Sequence, residues 1–307
     1  MIINSDILAK IKNKKIGVLY GGESYEKEVS IKSGKAVLNA LKNLHLNVCG
    51  IYVDRNIICT IKKSKIDIAC IMLHGLMGED GTIQGMLELL NIPYTGCGVF
   101  ANAASIDKDI SKKLFKCAGI LTPKWKTFKK FELVPSVKKY PVVVKPSTQG
   151  STIGLTVVKK TSQFSNAVKN AFKYGPEIVV ERFIKGKEIT VGVMDGKALP
   201  IIEIVLDGDL YDFKSKYENG GSKHIIPARI SKKVYKTAQR YAEKIYKLFK
   251  CKAICRVDMI VDKNDKVWVL ENNTIPGMTE TSLIPDACKC IGYNFENLVL
   301  KILESAL

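Results

Sequence analysis

Apolar residues along this chain recur in two rhythms, and the places where the rhythm changes divide it into units. Lys15-Ile-Gly-Val-Leu-Tyr20 is a short apolar run halted by Gly21-Gly22, which predicts a first buried strand. Val29, Ile31, Val37, Ala40, Leu41 and Leu44 then supply the apolar positions of a helix. Strands are expected at about 47–53 and 66–73, with a helix at about 81–91. Strand–helix alternation with buried strands implies a parallel sheet, so residues 1–96 read as a Rossmann-like α/β unit. No G-x-G-x-x-G follows the first strand, which argues against a dinucleotide site.

Past Tyr94-Thr95-Gly96 come helical stretches at about 98–105 and 107–118, and then the character changes. Short strands at 141–145, 153–158 and 177–181 surround a helix near 161–173, so residues 97–185 read as a small α+β unit, mostly antiparallel. From 186 to 307 a third unit is expected, with longer strands at 188–194, 198–206, 253–262 and 266–271. Within it, the run from Lys232 to Lys252 carries Val234, Ala238, Tyr241, Ile245 and Leu248 at helical spacing. That is an amphipathic helix with a solvated lysine face.

Composition narrows the function classes. The chain has 307 residues, 46% hydrophobic and 25% charged, enough for two or three domains with their own cores. Its longest uninterrupted apolar run, Ile68 to Leu73, is far short of the roughly 20 residues that span a membrane. The start, Met-Ile-Ile-Asn-Ser-Asp, lacks a charged segment followed by an apolar one, so no signal peptide is read and a cytoplasmic protein is expected. Nine cysteines without a C-x-x-C pair point to reduced, structural thiols. A net charge of +18 raises the question of a nucleic-acid partner. All but five of the 48 basic residues are lysine, dispersed along the chain, and aromatic residues are only 8%. Neither a clustered basic footprint nor a stacking motif is present, so no nucleic-acid partner is expected, while phosphate-bearing small molecules would still be attracted.

Three segments carry candidate chemistry. Asp258 lies in one apolar strand, and Glu271 and Asn273 end the next, so a short turn between them would bring three oxygen-bearing side chains together. Hard oxygen ligands of that kind hold Mg²⁺ beside a nucleotide's phosphates; taken alone, the segment is also compatible with a hairpin that has polar ends. Lys145-Pro-Ser-Thr-Gln-Gly150-Ser151-Thr152-Ile-Gly154 sits between two expected strands. Its glycines and hydroxyls can lay backbone N–H groups against phosphates, with Lys145 as a point charge. It is not a Walker A loop, since no G-x-x-x-x-G-K-[ST] occurs. After the 177–181 strand, Glu181 could accept from an adenine amine, Ile184 could offer backbone groups, and Glu188 could bind ribose hydroxyls. Two solvated glutamates in a turn would read the same way.

Together these patterns resemble the ATP-grasp superfamily, in which ATP lies between two α+β units. More closely, the chain resembles the D-alanine–D-alanine ligase family from about residue 15 to its end. The resemblance is carried in order by Gly21-Gly22-Glu-Ser24-Tyr-Glu26-Lys-Glu28-Val29-Ser30, by Leu73-His74-Gly75-x-x-Gly78-Glu79-Asp80-Gly81-Thr82-x-Gln84-Gly85, and by Pro93-Tyr-Thr-Gly96. Asp107-Lys108, the Lys145 loop and Tyr211-Asp212-x-Lys214-x-Lys216-Tyr217 continue it. Glu271-x-Asn273-Thr-x-Pro276-Gly277-Met278-Thr279-x-x-Ser282-Leu283 completes it.

The resemblance implies an N-terminal Rossmann-like domain followed by a two-part ATP-grasp fold. It also implies a two-step reaction: ATP phosphorylates the carboxylate of a first D-alanine, and the amine of a second displaces phosphate. ATP and two divalent ions, Mg²⁺ or Mn²⁺, are implied, with Asp258, Glu271 and Asn273 as metal ligands and Arg256 and the Gly277 N–H as oxyanion stabilisers. Glu26 would receive the first substrate's ammonium group near His74, with Ser151 and Tyr217 as its hydrogen-bonded partners. Ser282 and Leu283 would cradle the second substrate's carboxylate, and Lys108, Lys145 and Lys216 would face phosphate. Tyr217 stands where depsipeptide-forming ligases often carry His, which favours an amine nucleophile; D-serine or D-lactate as second substrate is the alternative. Phe213 and Leu76-Met77 depart from the family pattern, the latter close to the first-substrate side. The resemblance leaves a homodimer open.

Overall fold

The computed structural model describes residues 5–206 and 222–307; the Tyr211–Tyr217 motif, with Lys216 and Tyr217, lies outside the described residues. The first unit is a parallel sheet of β1 (Ile16–Gly21), β2 (Val48–Val53) and β3 (Ile68–Ile71), in the order β2-β1-β3. All four side chains of β3 are buried, as strands covered on both faces must be. Around it stand α1 (Ser5–Ile11), α2 (Lys27–Asn43), α3 (Ile57–Ser64) and α4 (Thr82–Leu89). α2 buries Val37, Ala40 and Leu41 against the sheet. It can lie close because Gly34 sits over Tyr20, where a Cβ would come within 2.3 Å of the tyrosine's Cβ.

α5 (Val99–Ile106) and α6 (Lys108–Cys117) lead into a four-stranded antiparallel sheet ordered β4-β7-β5-β6. Its strands are β4 (Trp125–Lys129), β5 (Val142–Pro146), β6 (Thr156–Val158) and β7 (Glu177–Arg182), with α7 (Phe164–Ala171) packed on β5 and β6. Asp107 caps α6, its carboxylate accepting from the backbone N–H of Asp109 and Ile110. That cap fixes the first turn, and with it the direction of Lys108.

The largest sheet is ordered β11-β10-β8-β12-β13, with β9 paired to β8. It contains β8 (Gly186–Met194), β9 (Lys197–Ala198), β10 (Ile202–Leu206), β11 (Ser222–Ile225), β12 (Ile254–Asp262) and β13 (Val267–Asn273). Helix α8 (Lys232–Leu248) covers one face with Val234, Ala238, Ala242 and Ile245, as its apolar spacing predicts. Burying each of its larger aliphatic side chains contributes about 1.5–3 kcal/mol. α9 (Leu283–Lys289) and α10 (Phe295–Leu303) close the chain, packing with α2 in a shared core.

The structure corrects several element readings. The strand expected at 198–206 is split into β9 and β10, because Pro200 has no N–H for a ladder. The strand at 153–158 shortens to β6, since Gly150–Leu155 forms turns that include Ser151 and Thr152 at positive φ. β4, β11 and the helices α1, α3, α9 and α10 are additions; β4 reads Trp-Lys-Thr-Phe-Lys, with its lysines three apart, so no period-two pattern marks it as a strand.

Candidate active site

β12 and β13 form the hairpin that the spacing of acidic residues predicts. Asp258 pairs with Glu271 and Arg256 with Asn273 across the ladder, so all four belong to one face of the sheet. A bulge after Asp258 shifts the register and re-aims this end of the hairpin relative to the rest. Asp258 is buried and takes a two-pronged bond from Arg256, Nε to Oδ1 at 2.9 Å and Nη2 to Oδ2 at 2.8 Å. Thr190 of β8 donates to the same carboxylate at 2.6 Å. Behind the hairpin, the Asn272 side chain donates to Ser105 at 2.8 Å and Thr274 to Asn102 at 2.6 Å, which pins the end of β13 to α5.

One lysine from the smaller antiparallel unit reaches this carboxylate face, and two more gather on Glu181 of their own unit. Lys108 Nζ donates to the Gln149 carbonyl at 2.6 Å and stands 3.5 Å from Glu271, joining the glycine loop to the hairpin. Lys145 in β5 is buried with its ammonium 2.5 Å from Glu181. Lys112 engages the other oxygen of Glu181 at 2.7 Å. Burial alone would raise the Glu181 carboxyl, but Lys145 and Lys112 outweigh it and hold it at about 2. Ile184 is buried just beyond it. Glu188, also buried, lies two residues before Thr190 on β8 and shares its face.

On the opposite side, Glu26 stands at the entry to α2 and accepts a very short hydrogen bond from Ser151. Its Oε2 is buried and has no hydrogen-bond partner among the described residues. Gly150 makes this approach possible, since a Cβ there would lie 2.7 Å from Oε2. Tyr25 stacks edge-on against Tyr174 at 5.2 Å, and the Tyr174 carbonyl accepts from the Gln149 side chain at 3.0 Å, an indirect tie from Tyr25 to the glycine loop. Desolvation raises the Glu26 carboxyl against the bond from Ser151. A cation at Oε2 would restore its charge.

His74 is buried just before Gly75, where a Cβ would lie 3.1 Å from Glu26 Oε2; its Nε2 is 3.3 Å from Ser33 Oγ, and burial pushes its ring down to about 4. The ring is therefore neutral at neutral pH. Ser33 Oγ also accepts from the Met278 N–H at 3.2 Å, which ties the Gly277 loop to the His74 side. Ser282 begins α9, its hydroxyl accepting from the Thr279 N–H at 3.0 Å, and Leu283 packs against the shared core. A Cβ on Gly277 would come within 3.1 Å of Ser282 Oγ, so the turn is built tightly around that glycine.

Three side chains of this site went unassigned in the sequence. Lys112 lies one helical turn after Lys108, a spacing that was there to be read. Glu79, inside the His74 motif, accepts from the Gly75 N–H at 2.7 Å; burial, followed by the Glu26 charge, pushes its carboxyl up to about 8. Thr190 carries no local signal, because only the pairing of β8 with β12 reveals it.

Among the described residues no group of three His, Cys, Asp or Glu side chains stands ready to hold a metal unaided. Mg²⁺ keeps several waters and shares substrate phosphates, so two carboxylates and an amide oxygen on one sheet face fit it or Mn²⁺.

A lysine held to the glycine-rich loop of one antiparallel unit and facing a carboxylate of another, beside a parallel α/β unit, defines an ATP-grasp protein. The family description "D-ala D-ala ligase N-terminus" matches residues 15–65 and 57–97, and "D-ala D-ala ligase C-terminus" matches 114–304. A curated D-alanine--D-alanine ligase from Citrifermentans bemidjiense is 43% identical over 97% of both chains. The solved D-alanine--D-alanine ligase of Bacillus anthracis complexed with ATP superposes with a TM-score of 0.84 at 34% identity, covering 95% of this chain and 97% of that one. The VanG D-Ala:D-Ser ligase of Enterococcus faecalis superposes at 0.82 with 31% identity, covering 96% of this chain and 100% of that one. The chain belongs to the D-alanine–D-alanine ligase family.

Proposed function

We infer that the protein uses ATP to join two D-alanine molecules into D-alanyl-D-alanine, releasing ADP and phosphate, for peptidoglycan precursor synthesis. The observation that carries this reading is the convergence, on one face, of the Asp258–Glu271 hairpin, Lys108 and the loop held to Glu26 by Ser151. The curated relative's activity favours D-alanine over D-serine or D-lactate as second substrate.

In this reading Glu26 receives the ammonium group of the first D-alanine, with His74 as a neutral neighbour. The carboxylate of that D-alanine attacks the γ-phosphorus of ATP, giving D-alanyl phosphate as ADP leaves. The amine of the second D-alanine, held by Ser282 and Leu283, attacks the acyl carbon, and inorganic phosphate leaves. Arg256 and the Gly277 N–H stabilise the oxyanion of the tetrahedral intermediate. Lys108, Lys145 and Lys216 bind phosphate oxygens, and Glu181, Ile184 and Glu188 hold the adenosine. Ser151 and Tyr217 keep the loops over a water-sensitive acyl phosphate. Two Mg²⁺ or Mn²⁺ ions, held by Asp258, Glu271 and Asn273, would neutralise charge on the phosphates.

We take residues 1–96, 97–185 and 186–307 as the three working units. Among the described residues no helix is long and apolar enough to cross a membrane. A cytoplasmic location is part of the proposal. A homodimer fits the family resemblance.

Purified protein should release phosphate from ATP with D-alanine alone as co-substrate, and adding D-serine or D-lactate at limiting D-alanine should raise the release far less than adding more D-alanine. Turnover with L-alanine but not D-alanine would exclude the assignment.

A further inference from the structure

Lys112 is among the largest fully buried side chains of the described residues, and its ammonium has three oxygens in reach. Glu181 lies at 2.7 Å, Thr122 Oγ1 at 2.8 Å and the Pro123 carbonyl at 3.4 Å, while the Trp125 ring stands 5.5 Å away. Thr122 and Pro123 accept hydrogen bonds from the ammonium, and Glu181 faces it as an ion pair. With its side chain 0% exposed, Lys112 touches no ligand from this position.

Lys145 is differently placed. It holds the other oxygen of Glu181 and lies at the start of the loop whose Gln149 carbonyl binds Lys108. On the ATP reading, Lys145 is needed at a phosphate. Turning there would take one of two cations away from a carboxylate that is 3% exposed. A buried carboxylate stripped of its cation takes up a proton or forfeits binding.

We propose that Lys112 is a positioning residue, a second counter-ion that keeps Glu181 ionised and in place while Lys145 transfers from Glu181 to the nucleotide's phosphates. The charged groups facing this carboxylate are Lys145 from β5 and Lys112 from α6, with Lys108 one turn away on the same helix face. β4 offers only the neutral Trp125 ring. Two carboxylates, Glu181 and Glu271, among three lysines still leave a net positive site, which suits a polyphosphate. Burial presses Lys112 down to about 8 despite Glu181, so it is largely charged at neutral pH. The inference rests on the ligase reading, through its claim that Lys145 serves phosphate.

The test is calorimetric titration of MgADP into the wild-type enzyme and Lys112→Met at pH near 7, in buffers of differing ionisation enthalpy. The variant should take up a larger fraction of a proton per ADP bound than wild type, and bind at least roughly tenfold more weakly. Lys112→Met with Glu181→Gln should lose the extra uptake, because the amide cannot protonate. Equal proton uptake in wild type and Lys112→Met overturns the inference, whatever happens to affinity. Should Lys112→Met fail to fold, infrared difference spectra of the wild type decide. A protonated carboxyl band that appears with MgADP and is missing in Glu181→Gln overturns the inference; its absence supports it. If wild type binds no MgADP at all, the ligase reading itself falls, which is a different result from equal proton counts.

Discussion

Arg256→Ala should lower kcat by roughly 10²–10³, about 3–4 kcal/mol of barrier, as loss of one oxyanion donor does. The KM for ATP should change far less. The guanidinium is held by Asp258 through two bonds, so its position is set by the neighbouring strand face before substrate arrives. Such a donor needs no reorganisation when negative charge develops on the attacked carbonyl. Asp258 keeps its bond from Thr190 in the variant, so the hairpin should survive, and thermal unfolding of the variant checks that. Arg256→Lys should recover little, because an ammonium group cannot reproduce the fork that grips Asp258. An unchanged kcat in folded Arg256→Ala would remove this residue from the oxyanion site.

The second large effect is expected at the other end of the substrate. Glu26→Gln should raise the KM for the first D-alanine by roughly ten- to hundredfold, the 1.5–3 kcal/mol of a hydrogen bond to a charged group. Oε2 is buried without a partner among the described residues, and burial already raises the carboxyl. Both features fit a group that is completed by an incoming ammonium. The amide keeps the shape and can still accept from Ser151, so loop closure should persist while the charge is lost. Initial rates over a range of D-alanine at saturating ATP report the change. A KM that stays at the wild-type value would contradict ammonium binding by Glu26.

Much of this site could be read from the chain because its residues lie close together in sequence or at the ends of strands. Asp258, Glu271 and Asn273 sit on two strands separated by one turn, so alternation alone predicts their shared face, and the pairing of Asp258 with Glu271 shows it. The Lys145 loop announces itself by composition. Side chains whose partners come from distant strands were harder to see. Thr190 meets Asp258 across 68 positions of sequence, and no local pattern distinguishes it from any other strand threonine. Lys112 looks like one more surface lysine in a lysine-rich chain, yet it is wholly buried, because Glu181 and Thr122 replace its water. Glu79 was visible inside its motif, but its proximity to Glu26 depends on the Gly75 turn. Strand limits were misread where proline or a tight loop interrupts an apolar run, as at Pro200 and before β6.

The central claim is that a D-alanine carboxylate oxygen attacks the terminal phosphorus of ATP. D-alanine labelled with ¹⁸O in its carboxyl group, turned over with unlabelled ATP, tests this directly. Each inorganic phosphate released should carry one ¹⁸O atom, retained from the acyl phosphate when the second amine displaces it. Phosphate leaving without label, while dipeptide accumulates, would contradict the account.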